Sequence, residues 1–177
     1  QTGLKNLMDV AILENKDDGQ DFDIENKYEK IDEIPFDFIR KRMSVVVRNK
    51  RMEDVLICKG AVEEVLSLCN KYETKEGTEP FIGKMSKKIE GIVNSLNEEG
   101  FRVIAVAYKV EKDYKKEYTI SDENELTLLG FMAFLDPPKE SSAEAIEKFH
   151  KYNVDVKILT GDNDIVTKKI CKEIKLP

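Results

Sequence analysis

A lysine and a glycine stand where a strand-like pattern gives way to a helix-like one. Residues 55–58 are rich in β-forming side chains, and from Ala61 the apolar residues recur at helical spacing, which predicts a helix over residues 61–72. Gly60 lets a ligand approach the backbone, a helix N-terminus adds unpaired N–H groups with about half a positive charge, and Lys59 adds a full one. This chemistry suits an anion or a nucleotide, although a lysine before a turn is more commonly a solvated strand end.

Arg102 is a second candidate for ligand contact. It opens an apolar strand pattern over residues 101–108, and a charge in such a strand needs a partner. That partner is either one of the many carboxylates of the chain or a ligand, and the sequence favours neither. The three cysteines lack metal-ligand spacing and are expected to be reduced thiols, and His150 is expected on the surface of a helix.

The composition narrows the class of protein. Of 177 residues, 36% are charged and 41% are hydrophobic, as in a well-solvated globular protein with a moderate core. The net charge of −6 argues against a general nucleic-acid binder, and the short run Arg40-Lys41-Arg42 is interpreted as a solvated strand edge. No apolar run approaches the ~20 residues that cross a bilayer. Because the first residue is Gln1 rather than Met, the chain is expected to be an excised piece of a longer protein.

The chain up to residue 135 is predicted to form an α+β domain, with an antiparallel sheet flanked by helices. Two strand patterns separated by residues 49–52 predict a hairpin that leads directly into Lys59 and Gly60. Helices are predicted at residues 4–12, 61–72 and 85–97, and strands at 27–36, 43–48, 53–59, 101–108 and 126–135.

The predicted order of strands and helices changes after Asp136-Pro137-Pro138-Lys139. Two prolines in a row fix φ twice and remove two N–H donors, which makes a stiff connector. A helix over residues 142–152, a strand at 154–159 and a helix over 163–174 are predicted to follow, as in half of a parallel, doubly wound unit. Ligands of such sheets bind at the carboxyl ends of the strands, where Thr160-Gly161-Asp162 falls. The segment is too short to complete a sheet domain.

Five sequence segments in a fixed order carry a resemblance to a known family. "FDFIRKRMSVVV", "CKGAVEEVL", "GFRVIAVA", "LDPPK" and "ILTGDN" closely resemble the cytoplasmic headpiece of P-type cation-transporting ATPases. The stretches "QTGLKNLMDVAIL" and "KIDEIPFDF" look most like the bacterial magnesium-transporting branch. The resemblance implies a nucleotide-binding domain over residues 1–135, followed by the hinge and part of a haloacid dehalogenase-like phosphorylation domain over residues 136–177.

The resemblance also implies roles for particular residues of the first domain. Phe36 matches the aromatic residue that stacks on adenine, and Met43 matches a wall of that pocket. Lys59 and Gly60 match the lysine and glycine that line the adenine pocket, whereas Arg102 matches the arginine that reaches the phosphates. The expected ligand of the Lys59-Gly60 turn is therefore the base rather than the phosphate.

Further matches lie near the two ends of the chain. Gln1 falls where the family often has a glutamate near the adenine amino group, although glutamine is not a carboxylate. Thr160, Gly161 and Asp162 match the loop that holds the transferred phosphoryl group. The hinge matches Asp136, Pro137, Pro138 and Lys139, with lysine where many relatives have arginine, so the charge stays but the two-pronged geometry is lost.

The resemblance implies that the parent protein is an ATPase that couples ATP hydrolysis, through an aspartyl-phosphate, to transport of a cation, with magnesium expected. The family strings "DKTGT" and "GDGxND" do not occur here. Phosphoryl transfer needs a nucleophile and a metal that neutralises developing charge, so this chain is expected to bind ATP with its Mg²⁺ without turning it over, and to supply no catalytic or metal-binding residue. The implied partners are the rest of the phosphorylation domain, the actuator domain and the transmembrane helices of the same parent, at the cytoplasmic face of a cell membrane.

Three alternatives stay open. The chain could be a non-catalytic interaction module that offers a strand edge to a protein partner. The parent could instead transport calcium or another cation. A free-standing phosphatase of the haloacid dehalogenase type needs a nucleophilic aspartate on a preceding parallel strand, and the sequence has none in that context.

Overall fold

The computed structural model describes residues 24–111, 114–135, 137–160 and 163–176. The helix predicted at residues 4–12 lies outside these ranges. The strands are β1 (Tyr28–Asp37), β2 (Arg42–Asn49), β3 (Asp54–Ala61), β4 (Cys69–Thr74), β5 (Gly77–Pro80), β6 (Phe101–Glu111) and β7 (Leu126–Leu135). The helices are α1 (Ile24–Lys27), α2 (Val62–Leu66), α3 (Gly83–Glu98), α4 (Ser141–Lys151) and α5 (Asp164–Glu173), with a 3₁₀ turn at Ile120–Asp122.

The strands of the described ranges form one seven-stranded sheet in the order β1-β2-β3-β6-β7-β4-β5. The neighbours β1, β2, β3 and β6 run antiparallel, as predicted. β4 runs parallel to β7, however, so the sheet is mixed rather than wholly antiparallel. The predicted combination of a sheet with flanking helices is confirmed.

The β2–β3 hairpin forms because both strands are rich in β-branched and other apolar residues, whose side chains point alternately to the two faces of the sheet. Its register pairs Ser44 with Cys58 and Val46 with Leu56. These four side chains are buried, and none is more than 1% exposed. These four residues therefore place one face of the hairpin in the core. The side chains that alternate with them along each strand lie on the opposite face.

The helix predicted over residues 61–72 is observed only at its start, and the prediction is wrong for its second half. α2 ends at Leu66, and β4 begins at Cys69. The carbonyl of Leu68 accepts a hydrogen bond from the N–H of Leu126 at 2.9 Å, and Cys69 then pairs with Leu126 in the ladder with β7. Pairing with a strand distant in sequence therefore overrides the local helical periodicity.

The described residues fall into two compact units, one of residues 24–81 with 104–131 and one of residues 82–103 with 132–176. In the second unit, α3 contacts α5, and the helices bury Ile89, Ile146 and Val166. The proposed domain boundary between residues 135 and 136 falls inside this unit.

The strand predicted at residues 154–159 is wrong, since this segment is irregular. A strand needs neighbours for its N–H and C=O groups, and no strand in the described ranges pairs with this segment. The Leu159 side chain is accordingly 96% exposed. The haloacid dehalogenase-like arrangement predicted for the end of the chain is thus not observed in the described residues.

A buried carboxylate fixes the tip of the β2–β3 hairpin. Asp54 accepts two hydrogen bonds from the Arg48 guanidinium, at 2.7 and 2.9 Å, and one from the Tyr118 hydroxyl at 3.0 Å. The same guanidinium lies 4.9 Å from the centroid of the Tyr114 ring. The donors of Arg48, and then that of Tyr118, hold the pKa of Asp54 below its usual range despite burial. Burial and the bond to Asp54 raise the pKa of Tyr118 to about 12.

Asp54 is expected to make the stability of the fold depend on pH in the acid range. Its carboxyl is a stronger acid in the folded chain, so its stabilisation is fully present above the unfolded pKa of about 3.9 and is lost as the pH falls toward the lower, folded pKa. Asp54→Asn removes this group, so the free energy of unfolding should fall less between about pH 6 and about pH 3 than in the unaltered chain. Urea denaturation at several pH values measures the difference, and equal acid dependence of the two chains would contradict the assignment.

Candidate functional site

Phe36 lies near the end of β1, where an extra residue interrupts the β1–β2 ladder. The register places Pro35 and Phe36 opposite the single residue Met43, and Met43 pairs with Lys59 of β3. Phe36, Met43 and Lys59 therefore follow one another across three adjacent strands. The Phe36 side chain is 50% exposed, although aromatic rings supply much of the buried surface of most folds. The structure thus places three of the predicted pocket residues side by side on adjacent strands, and one of them, Phe36, has an exposed aromatic ring.

Met43 and Lys59 lie on the sheet face opposite the buried one. They alternate along β2 and β3 with the buried Ser44 and Cys58, and both are half-buried. Lys59 also pairs with Val106 of β6 on its other side. Lys59 therefore lies beside Met43 on this face, in the row of strand positions that also contains Phe36.

The turn after Phe36 has a fixed backbone. The Asp37 carboxylate accepts hydrogen bonds from the N–H groups of Arg40 at 2.7 Å and Ile39 at 2.9 Å. The Asp37 carbonyl accepts a third from the N–H of Lys41 at 2.7 Å. The N–H donors to its carboxylate, that of Arg40 foremost, hold the pKa of Asp37 below its usual range. The turn is therefore an ordered element that continues the site beyond the strand.

Two arginines of this turn bind one buried carboxylate. The Glu123 side chain is 0% exposed, and its Oε2 accepts hydrogen bonds from Arg40 at 2.6 Å and Arg42 at 2.8 Å. Its Oε1 accepts a hydrogen bond from the Ser44 hydroxyl at 2.8 Å. The interpretation of residues 40–42 as a solvated edge is therefore wrong for Arg40 and Arg42, because their side chains are only 15% and 12% exposed.

Gly60 lies within β3 rather than at a corner between strand and helix, and α2 begins only at Val62. A Cβ on Gly60 would lie 2.5 Å from the Lys41 carbonyl oxygen and 2.5 Å from the Arg42 Cβ. The Lys41 carbonyl also accepts a hydrogen bond from the N–H of Ala61 at 2.9 Å. The close backbone approach expected at this glycine is thus made by the turn of the same chain.

The remaining predicted site residues lie elsewhere. Arg102 is the second residue of β6, is half-buried, and belongs to the second unit. Pro137, Pro138 and Lys139 form an irregular segment before α4, and Thr160 is exposed in the irregular segment before α5. The predicted residues outside the described ranges are Gln1, Asp136, Gly161 and Asp162.

In the described ranges, no group of three or more His, Cys, Asp or Glu could hold a metal ion. No helix of these ranges is long and apolar enough to span a bilayer. The cysteines are free, as predicted, and burial raises the pKa of the thiols of Cys58 and Cys69, the latter to about 12. His150 is exposed on α4, as predicted.

Two residues of this region were not predicted from the sequence. Phe38 follows Phe36 by two positions in "FDF", and this second aromatic residue so close to Phe36 is the signal that could have found it, although Phe38 lies in the turn after β1 and not in the strand. Glu123 has no comparable signal. It is one of 35 acidic residues, and only the fold brings it to the arginines.

Comparison with known protein families identifies the class to which this domain belongs. A sequence profile described as "P-type ATPase, cytoplasmic domain N" matches residues 4–141. The chain therefore belongs to the P-type ATPases, and it contains their cytoplasmic domain N.

Individual relatives refine this assignment. The magnesium-transporting ATPase, P-type 1, of Escherichia coli is 44% identical over 99% of this chain and 20% of its own length. A protein of the same name from Salmonella typhimurium is 43% identical over 99% of this chain and 20% of its own length. Calcium-transporting ATPase 1 of Lactococcus lactis is 30% identical over 87% of this chain and 17% of its own length. The resemblance to the magnesium-transporting branch is confirmed, and the chain spans about a fifth of the length of these relatives.

Proposed function

We propose that this chain binds ATP as part of a P-type ATPase that transports magnesium across a membrane. The observation that carries the proposal is the row of Phe36, Met43 and Lys59 across three strands. A flat ring with half of its side-chain surface exposed offers a stacking surface for adenine. The neighbouring ammonium group attracts the negative charge of a nucleotide.

The magnitudes indicate modest affinity. Stacking on an aromatic ring contributes about 1–3 kcal/mol, by analogy with bases of single-stranded nucleic acids. A cationic side chain about 4 Å from a phosphate, the role proposed for Arg102, adds about 4 kcal/mol at an effective dielectric constant of about 20, before desolvation is subtracted. Because a Kd of 1 mM corresponds to about 4 kcal/mol and a Kd of 1 μM to about 8 kcal/mol, we expect a Kd for ATP between these values.

The other predicted residues complete this proposal. Arg102 is proposed to contact the phosphates, Gly60 to shape the base pocket, and Gln1 to lie near the adenine amino group. The nucleotide-binding domain is proposed to end near residue 135. The phosphate loop is assigned to Thr160, Gly161 and Asp162, and the hinge to Asp136, Pro137, Pro138 and Lys139.

The proposed activity belongs to the parent protein. Its ATP hydrolysis, through an aspartyl-phosphate, drives transport of a cation, and Mg²⁺ accompanies the nucleotide. Magnesium is favoured over calcium as the transported ion because relatives named as magnesium transporters are 38–44% identical, against 29–32% for relatives named as calcium transporters. The chain is proposed to lie at the cytoplasmic face of a membrane, where the other domains of the parent contact it.

Lys59→Ala is expected to weaken ATP binding and to leave the fold nearly as stable as before. Loss of a charge on a half-buried surface near the nucleotide should raise the Kd about threefold to tenfold, while the free energy of unfolding changes by less than about 1 kcal/mol. Isothermal titration with ATP measures the Kd, and urea denaturation measures the stability.

Lys50→Ala is the matched control, because it removes the same charge from the exposed turn of the same hairpin. Its Kd should stay within about twofold of the unaltered chain, since exposed charges more than a Debye length of about 8–10 Å apart are largely screened. Equal affinity of the Lys59→Ala variant and the unaltered chain would remove Lys59 from the site. Absence of binding to the unaltered chain at millimolar ATP would overturn the proposed function.

A further inference from the structure

Two large apolar side chains are exposed to solvent in the turn after β1. Phe38 is 87% exposed and Ile39 is 88% exposed. The backbone beneath them is held by the bonds to Asp37 already described, and Arg40 adds a hydrogen bond to the Pro35 carbonyl at 2.9 Å. A large apolar side chain that stays exposed in an ordered turn forgoes the favourable free energy of burial. This unfavourable exposure indicates a function for at least one of the two side chains.

Phe38 differs from Ile39 in what it touches. The ring centroids of Phe36 and Phe38 are 5.2 Å apart, and the ring planes meet at 88°. This is the edge-to-face arrangement that aromatic pairs favour. Two rings at a right angle form a corner with two apolar walls, and a flat base that lies on one wall meets the other with its edge.

We propose that Phe38 is a second base-contacting residue, which forms a two-walled aromatic corner with Phe36 for the nucleobase of ATP. This inference rests on the proposed function, because the base is placed at Phe36. Phe38 then covers the edge of the stacked base and removes more of its apolar surface from water. Its high exposure agrees with this role, since an exposed ring is accessible to the base.

The corner is maintained by the same contacts that order the turn. The Asp37 carboxylate binds the backbone on one side of Phe38, and Arg40 is held by the buried Glu123. Phe38 is therefore positioned before the base arrives, which reduces the conformational entropy lost on binding. Ile39 occupies the same turn with the same exposure but has no flat face, so it serves as an internal control.

The test compares ATP affinity of the unaltered chain with those of Phe38→Ala, Phe38→Tyr and Ile39→Ala. Phe38→Ala should raise the Kd for ATP about threefold to tenfold, because it removes one wall. Phe38→Tyr keeps the ring and should stay within about twofold. Ile39→Ala removes an equally exposed apolar side chain and should also stay within about twofold. Thermal unfolding of each variant checks that the fold is intact.

Nuclear Overhauser contacts provide an independent readout. With ATP bound to the unaltered chain, adenine ring protons should show contacts to the ring protons of both Phe36 and Phe38. Contacts to Phe36 alone, with unchanged affinity of Phe38→Ala, would overturn the inference and leave the proposed function standing. A loss of affinity in Ile39→Ala as large as that in Phe38→Ala would also overturn it, because the turn rather than the ring would then be responsible. If the unaltered chain does not bind ATP, both proposals fail.

Discussion

Glu123→Ala is expected to lower the free energy of unfolding by about 3–5 kcal/mol, because it leaves two largely buried guanidinium groups without their anion. Arg40 and Arg42 both bind Oε2 of this carboxylate, and the Ser44 hydroxyl binds Oε1. Their remaining exposure is too small for water to replace a partner fully. Urea denaturation of the variant and the unaltered chain measures the difference.

Two variants separate the role of the charge from that of the side chain. Glu123→Gln keeps the volume and an acceptor but loses the charge, so its loss of stability should be smaller than that of Glu123→Ala. Glu144→Ala removes a glutamate whose side chain is 69% exposed and paired with Lys148, so it should cost no more than about 0.5 kcal/mol. If Glu123→Ala were as stable as Glu144→Ala, the buried carboxylate could not be what orders the turn.

Gly60→Ala is expected to destabilise the fold by about 1–3 kcal/mol and to weaken ATP binding. The new Cβ would meet backbone and Cβ atoms of the adjoining turn, with the Lys41 carbonyl oxygen and the Arg42 Cβ both at 2.5 Å. None of these atoms is the end of a flexible side chain, so the backbone of the turn or of β3 has to move. That movement displaces Phe36 relative to Lys59, and for this reason affinity should fall together with stability.

Gly91→Ala is the matched control for this prediction. Gly91 lies inside α3, and, apart from its chain neighbours and the backbone of the helix itself, no atom of the described residues lies within 4 Å of the position its Cβ would take. Alanine favours a helix over glycine, so this variant should be more stable by about 0.4–1 kcal/mol. Unchanged stability and unchanged ATP affinity of the Gly60→Ala variant would contradict the close approach of the turn to β3.

The β2–β3 hairpin and β7 were predictable because their signal is local. Val45, Val46 and Val47 continue a β-forming run up to the polar turn, and the observed strand Arg42–Asn49 extends the prediction by one residue at each end. β7 was predicted with its observed bounds, Leu126–Leu135. In both cases the side-chain pattern alone is enough to specify the strand.

β4 and the segment at residues 154–159 show where local patterns fail. The stretch after Leu66 has helical apolar spacing, but its backbone groups pair with β7 instead. The later stretch is rich in β-formers, yet no strand in the described ranges pairs with it. A strand forms only where another strand can pair with it, and the local sequence does not show which segment that will be.

The residues of the candidate site also fall into those that a local sequence signal identifies and those that it does not. Phe36, Met43 and Lys59 were identified from motifs within short segments, and the register of three strands brings them into line. Glu123 could not be identified, because its contact with Arg40 spans 83 positions. The role of Gly60 changed for the same reason, since the residues that crowd it belong to another strand and its turn.

ATP binding at the row of Phe36, Met43 and Lys59 can be tested by titrating the isotopically labelled chain with ATP and following the amide chemical shifts. We expect the shifts to centre on Phe36, Lys59 and Gly60, to extend to Arg102, and to saturate with a Kd between about 1 μM and 1 mM. Amides at the tip of the β2–β3 hairpin, around Lys50, should not shift. Absence of shifts at millimolar ATP, or shifts that cluster away from Phe36 and Lys59, would show that this row is not an ATP site.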